Sequence, residues 1–422
     1  MIYLHVPFCR SFCTYCDFYS EIACRGRDAQ AFESYADAVC AEIARRRAEI
    51  DATRDLDTLY IGGGTPSVLP LALLRQMAAH LMTGGVPPEP PASLRSDTLC
   101  QQDCQRVLTG GGGQAEPELV FREPKNNSGP PVRRTPPPSC HPGLDPGSPF
   151  TEFTIEVNPE DIVEKGPGYV RGLRELGVKR ISMGVQSLDD RILRWMNRRH
   201  DADHARQAFR ILRETGMENI SVDLIFGLSQ LSEAILAQTL DEVLEWHPEH
   251  ISAYQLSIEE GSALGRLVRE GRYTEAPQEQ CASQYALLCQ RLREAGYVHY
   301  EISNWALPGR EAIHNSAYWT RHPYVGLGPG AHSFDGQVRS WNEESVPEYT
   351  PGGREMLSEA EAREEQIFLG LRTARGIPET WLETDAAAEA LADGRLVRLP
   401  EGRIRIPEDR WFVSDDLLAE LI

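Results

Sequence analysis

The chain has 422 residues, ten cysteines and a formal net charge of −20. That length suits two or three domains with a sizeable core. The acidic balance argues against wrapping nucleic acid, whose phosphates require basic patches, and no apolar run approaches the roughly 20 residues of a membrane helix.

The N-terminus, Met1-Ile2-Tyr3-Leu4-His5-Val6-Pro7-Phe8, has neither a basic leader nor a long apolar stretch, so it does not read as a signal peptide. The expected location is cytoplasmic, where close cysteine spacing points to metal or redox chemistry rather than to disulfides.

Residues 1–260 alternate short β-rich runs with helical stretches. The strand candidates are Ile2–Val6, Thr58–Ile61, Phe153–Val157, Arg180–Val185, Ser221–Phe226 and Ile251–Leu256. Each is rich in β-branched or aromatic residues and is followed by polar or glycine punctuation. Between them lie the helix candidates Gln30–Arg47, Leu71–Leu81, Val170–Leu176, His204–Glu214 and Ser232–Leu244. Such alternation predicts an α/β fold, a parallel sheet with helices outside. Six strands suit a partial (β/α)6 barrel, and a doubly wound sheet stays open as the alternative.

Residues 84–150 break the pattern, with many prolines, the run Gly110–Gly113 and no sustained periodicity. This composition predicts a disordered or loosely packed insertion. Cys100 and Cys104 within it mimic half of a metal motif; a second cluster site and an incidental pair are both open. Cys24, Cys40, Cys281 and Cys289 read as ordinary small apolar residues or free thiols. Residues 261–355 form an extension of the core. Residues 356–422 predict a C-terminal domain: a helix over Glu361–Arg372, short helices, then two strands within Arg395–Ile406 around Pro400-Glu401-Gly402. Helices followed by a two-stranded wing look like a winged-helix module with a structural or lid role.

The chemistry concentrates at Cys9-x3-Cys13-x2-Cys16, directly after the first strand. Thiolates are soft ligands that hold Fe–S clusters. Three cysteines on one loop reach three irons of a [4Fe–4S] cube, and the fourth iron keeps open coordination. Structural zinc wants four protein ligands in two pairs, and no second pair stands at good spacing. The loop would lie at the C-terminal mouth of the barrel, where βα-barrel enzymes place their chemistry.

This triplet is the radical S-adenosylmethionine signature. Tyr3 to Cys9 and Cys16-Asp17-Phe18-Tyr19 resemble the start of the family that contains oxygen-independent coproporphyrinogen III oxidase (HemN) and the HemW-type heme chaperones. Further matches are Gly62-Gly63-Gly64-Thr65-Pro66, Ile155–Pro159, Ser182–Ser187 and Val222–Gly227. The resemblance implies a [4Fe–4S] cluster on Cys9, Cys13 and Cys16, with S-adenosylmethionine at the free iron. It assigns Gly63, Gly64 and Thr65 to the cofactor's amino group. It places Tyr3, the Tyr15 backbone, Glu156, Gln186, Arg198 and Asp223 as further contacts to it. The carboxylates suit ammonium or ribose hydroxyls, and the arginine suits the methionine carboxylate. The implied chemistry is reductive cleavage of S-adenosylmethionine to a 5′-deoxyadenosyl radical.

Two features separate the branches. HemN-type oxidases carry a further cysteine two residues after the triplet, where this chain has Phe18, and they have a longer N-terminal arm. Second, His314-Asn315-Ser316-Ala317-Tyr318-Trp319 resembles the H-N-x-x-Y-W segment of HemW-type proteins. This makes His314 a candidate axial ligand of heme, with Tyr318 and Trp319 stacking on or edging the porphyrin. His5 is a second candidate ligand. The expected function is heme binding and transfer to an acceptor protein; the alternative is oxygen-independent coproporphyrinogen III oxidase. The implied partners are heme, an acceptor that includes membrane proteins met transiently, a reduced flavodoxin or ferredoxin, and a second copy of the chain in a homodimer.

Overall fold

The structure, a computed structural model, describes residues 1–23, 28–83, 148–346 and 349–422. The expected insertion therefore lies outside the described residues up to position 147, and so do Cys24, Cys100, Cys104 and Cys140. The core resumes earlier than its composition suggested. Phe150 is fully buried, its ring 5.8 Å from that of Phe153, and its carbonyl accepts from Lys179 Nζ at 2.6 Å.

Nine strands form the main sheet: β1 (Ile2–Val6), β2 (Thr58–Gly63), β3 (Glu152–Val157), β4 (Arg180–Gln186), β5 (Ile220–Phe226), β6 (His250–Gln255), β7 (Val298–Glu301), β8 (Asn304–Ala306) and β9 (Val325–Leu327). Their order is β9-β1-β2-β3-β4-β5-β6-β8-β7. Strands β1 to β6 are parallel and neighbour one another in chain order. A doubly wound sheet would reverse its strand order at a switch point, and this one does not. The chain winds one way, as an open barrel of six βα units. β9 adds a parallel edge beside β1, and the hairpin β7–β8 adds an antiparallel edge beside β6.

Helices follow the strands on the outside. Helix Ala202–Glu214 starts where Asp201 accepts from the His204 backbone, a cap worth about 1 kcal/mol, and it buries Ala205, Ala208, Phe209 and Leu212 at helical spacing. Helix Pro159–Leu176 is longer than its expected Val170–Leu176. Gly166-Pro167-Gly168 reads as a break, yet the chain only kinks there, with Gly166 at φ +68°, and Pro159 at the first helical position costs nothing.

Strand alternation divides the core. Ile2, Leu4, Leu59, Ile61, Phe153, Ile155, Ile181, Met183, Val222, Leu224 and Ile251 are buried under the helices. The alternate residues face inward, and they are polar: Tyr3, Tyr60, Thr154, Ser182, Ser221, Ser252 and Tyr254 line one cavity of about 170 Å³. Closed eight-stranded barrels fill this space with branched apolar side chains; here hydroxyls line it together with Arg180, His250, His314 and Asn315.

After β9 the chain forms a three-stranded sheet, His332–Phe334, Val338–Asn342 and Pro351–Met356. Helix Glu359–Gly370 then opens on a capping box between Ser358 and Glu361. Strands Val397–Leu399 and Arg403–Arg405 stand within the expected pair, joined at the edge by Ile377–Pro378, which the sequence did not suggest. Leu371, Ile404, Ile406 and Trp411 centre a second apolar cluster. It meets the barrel through aromatic contacts, Trp411 against His299 at 4.5 Å and Phe412 against Tyr285 at 5.0 Å. Among the described residues, no helix is long and apolar enough to cross a membrane.

Candidate cofactor site

The cysteine loop leaves the C-terminal end of β1 and is pinned at several points. Phe8–Cys9 pairs with Glu21–Ile22 as a short parallel ladder. Thr14 N and Oγ1 donate to the carbonyls of Met196 and Trp195 at 3.1 and 2.9 Å, and Asn197 Nδ2 donates to Phe12 O at 2.7 Å. Cys9, Cys13 and Cys16 are half-buried and free of disulfides. Burial raises the Cys9 and Cys16 thiols, the latter to about 11. Bare thiolates are therefore disfavoured here, and coordination to metal would deprotonate them.

The glycine loop closes over this segment. A Cβ on Gly64 would fall 2.8 Å from Phe8 O and 3.1 Å from Cys9 Sγ; one on Gly63, at φ +114°, would fall 2.6 Å from the His5 ring. Only glycine allows this approach. Thr65 Oγ1 lies 3.4 Å from Cys9 Sγ and accepts from Asn158 Nδ2 at 3.2 Å.

Arg198 is the hub on the far side. Its Nη1 donates to Cys13 Sγ at 3.5 Å, and its Nη2 donates to Asn158 Oδ1 at 2.5 Å and Gly184 O at 2.9 Å. Its Nε is buried without a hydrogen-bond partner among the described residues. An orphaned guanidinium donor beside the thiols suits a ligand carboxylate.

Two acids complete the ring. Glu156 is the one position on β3 that is not fully buried. Its Oε1 accepts from Tyr60 OH at 2.7 Å and its Oε2 from Gly63 N at 3.1 Å. Burial pushes its carboxyl up to about 7. Asp223, the half-exposed position of β5, accepts from Ser182 and Ser221, and burial raises it too. Gln186 ends β4 at a register shift with φ +65°, a conformation that costs a non-glycine residue about 1–3 kcal/mol. Tyr3 OH lies 3.1 Å from His5 Nδ1, and His5 Nε2 donates to Tyr19 O at 2.9 Å, so Tyr3 is the donor to the other ring nitrogen. Both His5 nitrogens are thus engaged. Tyr15 packs half-buried against the main core.

The thiols, the glycine loop, Arg198 and the two acids come together at one end of the barrel; the H-N-x-x-Y-W segment reaches them only through the cavity, where the His314 ring lies 5.3 Å from the Tyr60 ring and shares the lining with Tyr3. Helix Ile313–Trp319 plugs the opposite end. The backbone amides of Ile313 and His314 donate to the Glu152 carboxylate at the start of β3, and His314 Nδ1 lies 2.9 Å from Thr58 Oγ1 at the start of β2. His314 Nε2 lies 3.1 Å from Tyr318 OH. The ring is 1% exposed, and burial lowers its pKa to about 3, so it is neutral. His314, Asn315 and Tyr318 floor the barrel cavity, whereas Trp319 is half-buried beside it.

The sequence reading missed Tyr60 and Asn158. Tyr60 was accessible from alternation, two residues before Gly62 on the same face of β2. Asn158 stood inside the matched segment Ile155–Pro159, but its partners Thr65 and Arg198 are distant in the chain, so its role was not legible.

The donor set fits a cluster and its amino-acid ligand. Among the described residues, no three His, Cys, Asp or Glu side chains converge on a single metal ion. A cube instead takes its thiolates at separate corners.

The model of the Radical SAM superfamily matches residues 3–243. The heme chaperone HemW of Bacillus subtilis (strain 168) is 30% identical over 386 residues, covering 89% of this chain and 84% of that protein. The heme chaperone HemW of Mycobacterium tuberculosis (strain ATCC 25618 / H37Rv) is 30% identical over 424 residues, covering 96% and 92%. The solved structure of coproporphyrinogen III oxidase (HemN) from Escherichia coli superposes with a TM-score of 0.67 at 18% identity, over 100% of this chain and 89% of that one. This likeness speaks to the fold. With a superfamily match across more than half its length and HemW relatives along nearly all of it, the chain belongs to the radical SAM superfamily and, within it, to the HemW-type proteins.

Proposed function

We propose that this protein binds heme and passes it to an acceptor protein. In this reading it carries a [4Fe–4S] cluster on Cys9, Cys13 and Cys16, with S-adenosylmethionine at the fourth iron. The observation that carries the reading is the similarity to two heme chaperones along 84% and 92% of their length. Phe18 supports it: the position is 70% exposed beside the cysteine loop and offers no further thiol. The alternative, porphyrinogen decarboxylation, rests on a HemN-like fold, and fold alone does not transfer activity.

The chain's own residues divide the work. Gly63, Gly64 and Thr65 bring backbone up to the amino group, and Glu156 beside them accepts from it. Arg198 offers Nε to the methionine carboxylate while its other nitrogens hold Cys13, Asn158 and the end of β4 in place. Gln186 and Tyr3 face the same space, and the Tyr15 backbone borders it. When bound, the cluster supplies one-electron reduction, with a reduced flavodoxin or ferredoxin as donor.

His314, Tyr318 and Trp319 are the heme contacts in this reading. Tyr318 then acts as a latch, because its hydroxyl occupies the Nε2 that would meet iron. A titration with heme tests the assignment. The wild type should develop a Soret band, His314→Ala should lose it, and Tyr318→Phe should keep or strengthen it. An unchanged spectrum in His314→Ala would remove His314 as a ligand.

A further inference from the structure

One wall of the barrel cavity carries a hydrogen-bonded chain from Tyr300 through His250 and Ser221 to Asp223, with Ser252 Oγ branching from Ser221 at 3.4 Å. Ser221 Oγ donates to Asp223 Oδ1 at 3.2 Å. A hydroxyl has one proton, so His250 Nδ1, 2.8 Å from the same oxygen, is the donor in that contact. Burial leaves His250 2% exposed and holds it well below the usual imidazole range, hence neutral with a single N–H. Its Nε2 therefore accepts, and Tyr300 OH donates to it at 2.8 Å. From the other side Ser182 Oγ donates to Asp223 Oδ2 at 2.7 Å. Tyr300, His250 and Ser221 thus pass their donors in one direction, and the chain ends on the carboxylate. Nothing about His250 in the sequence distinguished it, and the site described above does not use it.

Ser252 is a third hydroxyl partner of Asp223, and a carboxylate's roughly four lone-pair sites still leave acceptor capacity. Glu156 is tied to Gly63, in the loop that meets the amino group. Asp223 stands two strands further round the barrel, about 10 Å away at ordinary strand spacing, far enough to meet a different part of the cofactor from its amino group. We propose that His250 is a positioning residue for S-adenosylmethionine, acting through Ser221 to orient Asp223 as the acceptor for the ribose hydroxyls. The inference rests on the cofactor reading given above, which already includes Asp223, and adds His250 to it through Ser221. A histidine that merely satisfied its buried neighbours would, on removal, weaken every ligand alike. A histidine that aims Asp223 affects only ligands that carry the ribose hydroxyls.

The test is anaerobic equilibrium binding of S-adenosylmethionine and of its 2′-deoxyribose analogue to the iron-loaded full chain, with iron content measured in each variant. The wild type should prefer the natural cofactor by about tenfold, the value of one hydrogen bond to a charged group. His250→Gln places its amide at Nε2 and leaves Ser221 without its donor; Ser221→Ala removes the link outright. Both should lose the preference while keeping iron. His250→Asn places its amide near Nδ1 and should retain the preference, which also answers any general loss of packing at this position. An unchanged preference in His250→Gln, or equal weakening of both ligands, would overturn the inference. Failure of the iron-loaded wild type to bind either ligand would overturn the cofactor reading itself.

Discussion

Glu156 shows how one residue's environment sets a measurable property. Burial pushes its carboxyl up to about 7, so much of it is neutral at neutral pH. Tyr60, Asp223 and the Gly63 amide face it. An ammonium ligand needs the carboxylate form. Affinity for S-adenosylmethionine should therefore rise as pH climbs through 7, and Glu156→Gln should bind more weakly with that rise removed. Binding isotherms on either side of pH 7 check this; a slope surviving in Glu156→Gln would place the titration elsewhere. The acid itself was legible from the sequence, since Ile155–Pro159 closes a strand candidate and matches a family motif. Its protonation was not, because that depends on burial among Tyr60 and Asp223, neither of them near in the chain. His314 makes the same point with a larger consequence. The motif was visible, but its place at the floor of the barrel depends on Thr58 and Glu152, which no local pattern connects to it.

At the scale of elements, the glycine loop is where close approach and backbone conformation coincide. Gly63 has φ +114° and no room for a Cβ beside the His5 ring. Gly166 has φ +68° but nothing within 4 Å of a Cβ. Gly63→Ala should cost about 1–3 kcal/mol from crowding alone, on top of the conformational strain both positions share. It should also lower iron loading, because His5 ties the cysteine loop through the Tyr19 carbonyl. Thermal melts and iron counts of Gly63→Ala against Gly166→Ala separate the two terms, and equal effects would contradict the close-approach argument. Strands β1 to β6 were legible to within a residue or two, because each is a short apolar run with clear punctuation; the parallel edge strand β9 was not. Pro159–Lys165 was not, because the low helix propensity of glycine and proline at 166–168 separates it from Val170–Leu176, whereas the chain only kinks there. Ile377–Pro378 was too short to register as a strand.

At the scale of the molecule, the two ends of one barrel carry different chemistry. The C-terminal mouth gathers thiols, glycine backbone, arginine and two acids. The floor holds the H-N-x-x-Y-W helix, and a polar cavity lies between them. The choice between an open barrel and a doubly wound sheet could not be made from strand number; it follows from strand order, a property of the whole sheet. The central claim is that this molecule handles heme rather than making its precursor. The most direct test is an anaerobic assay of the iron-loaded protein with coproporphyrinogen III, S-adenosylmethionine and a reductant, beside a heme titration of the same preparation. The account predicts a heme complex and no protoporphyrinogen; sustained protoporphyrinogen formation would contradict it.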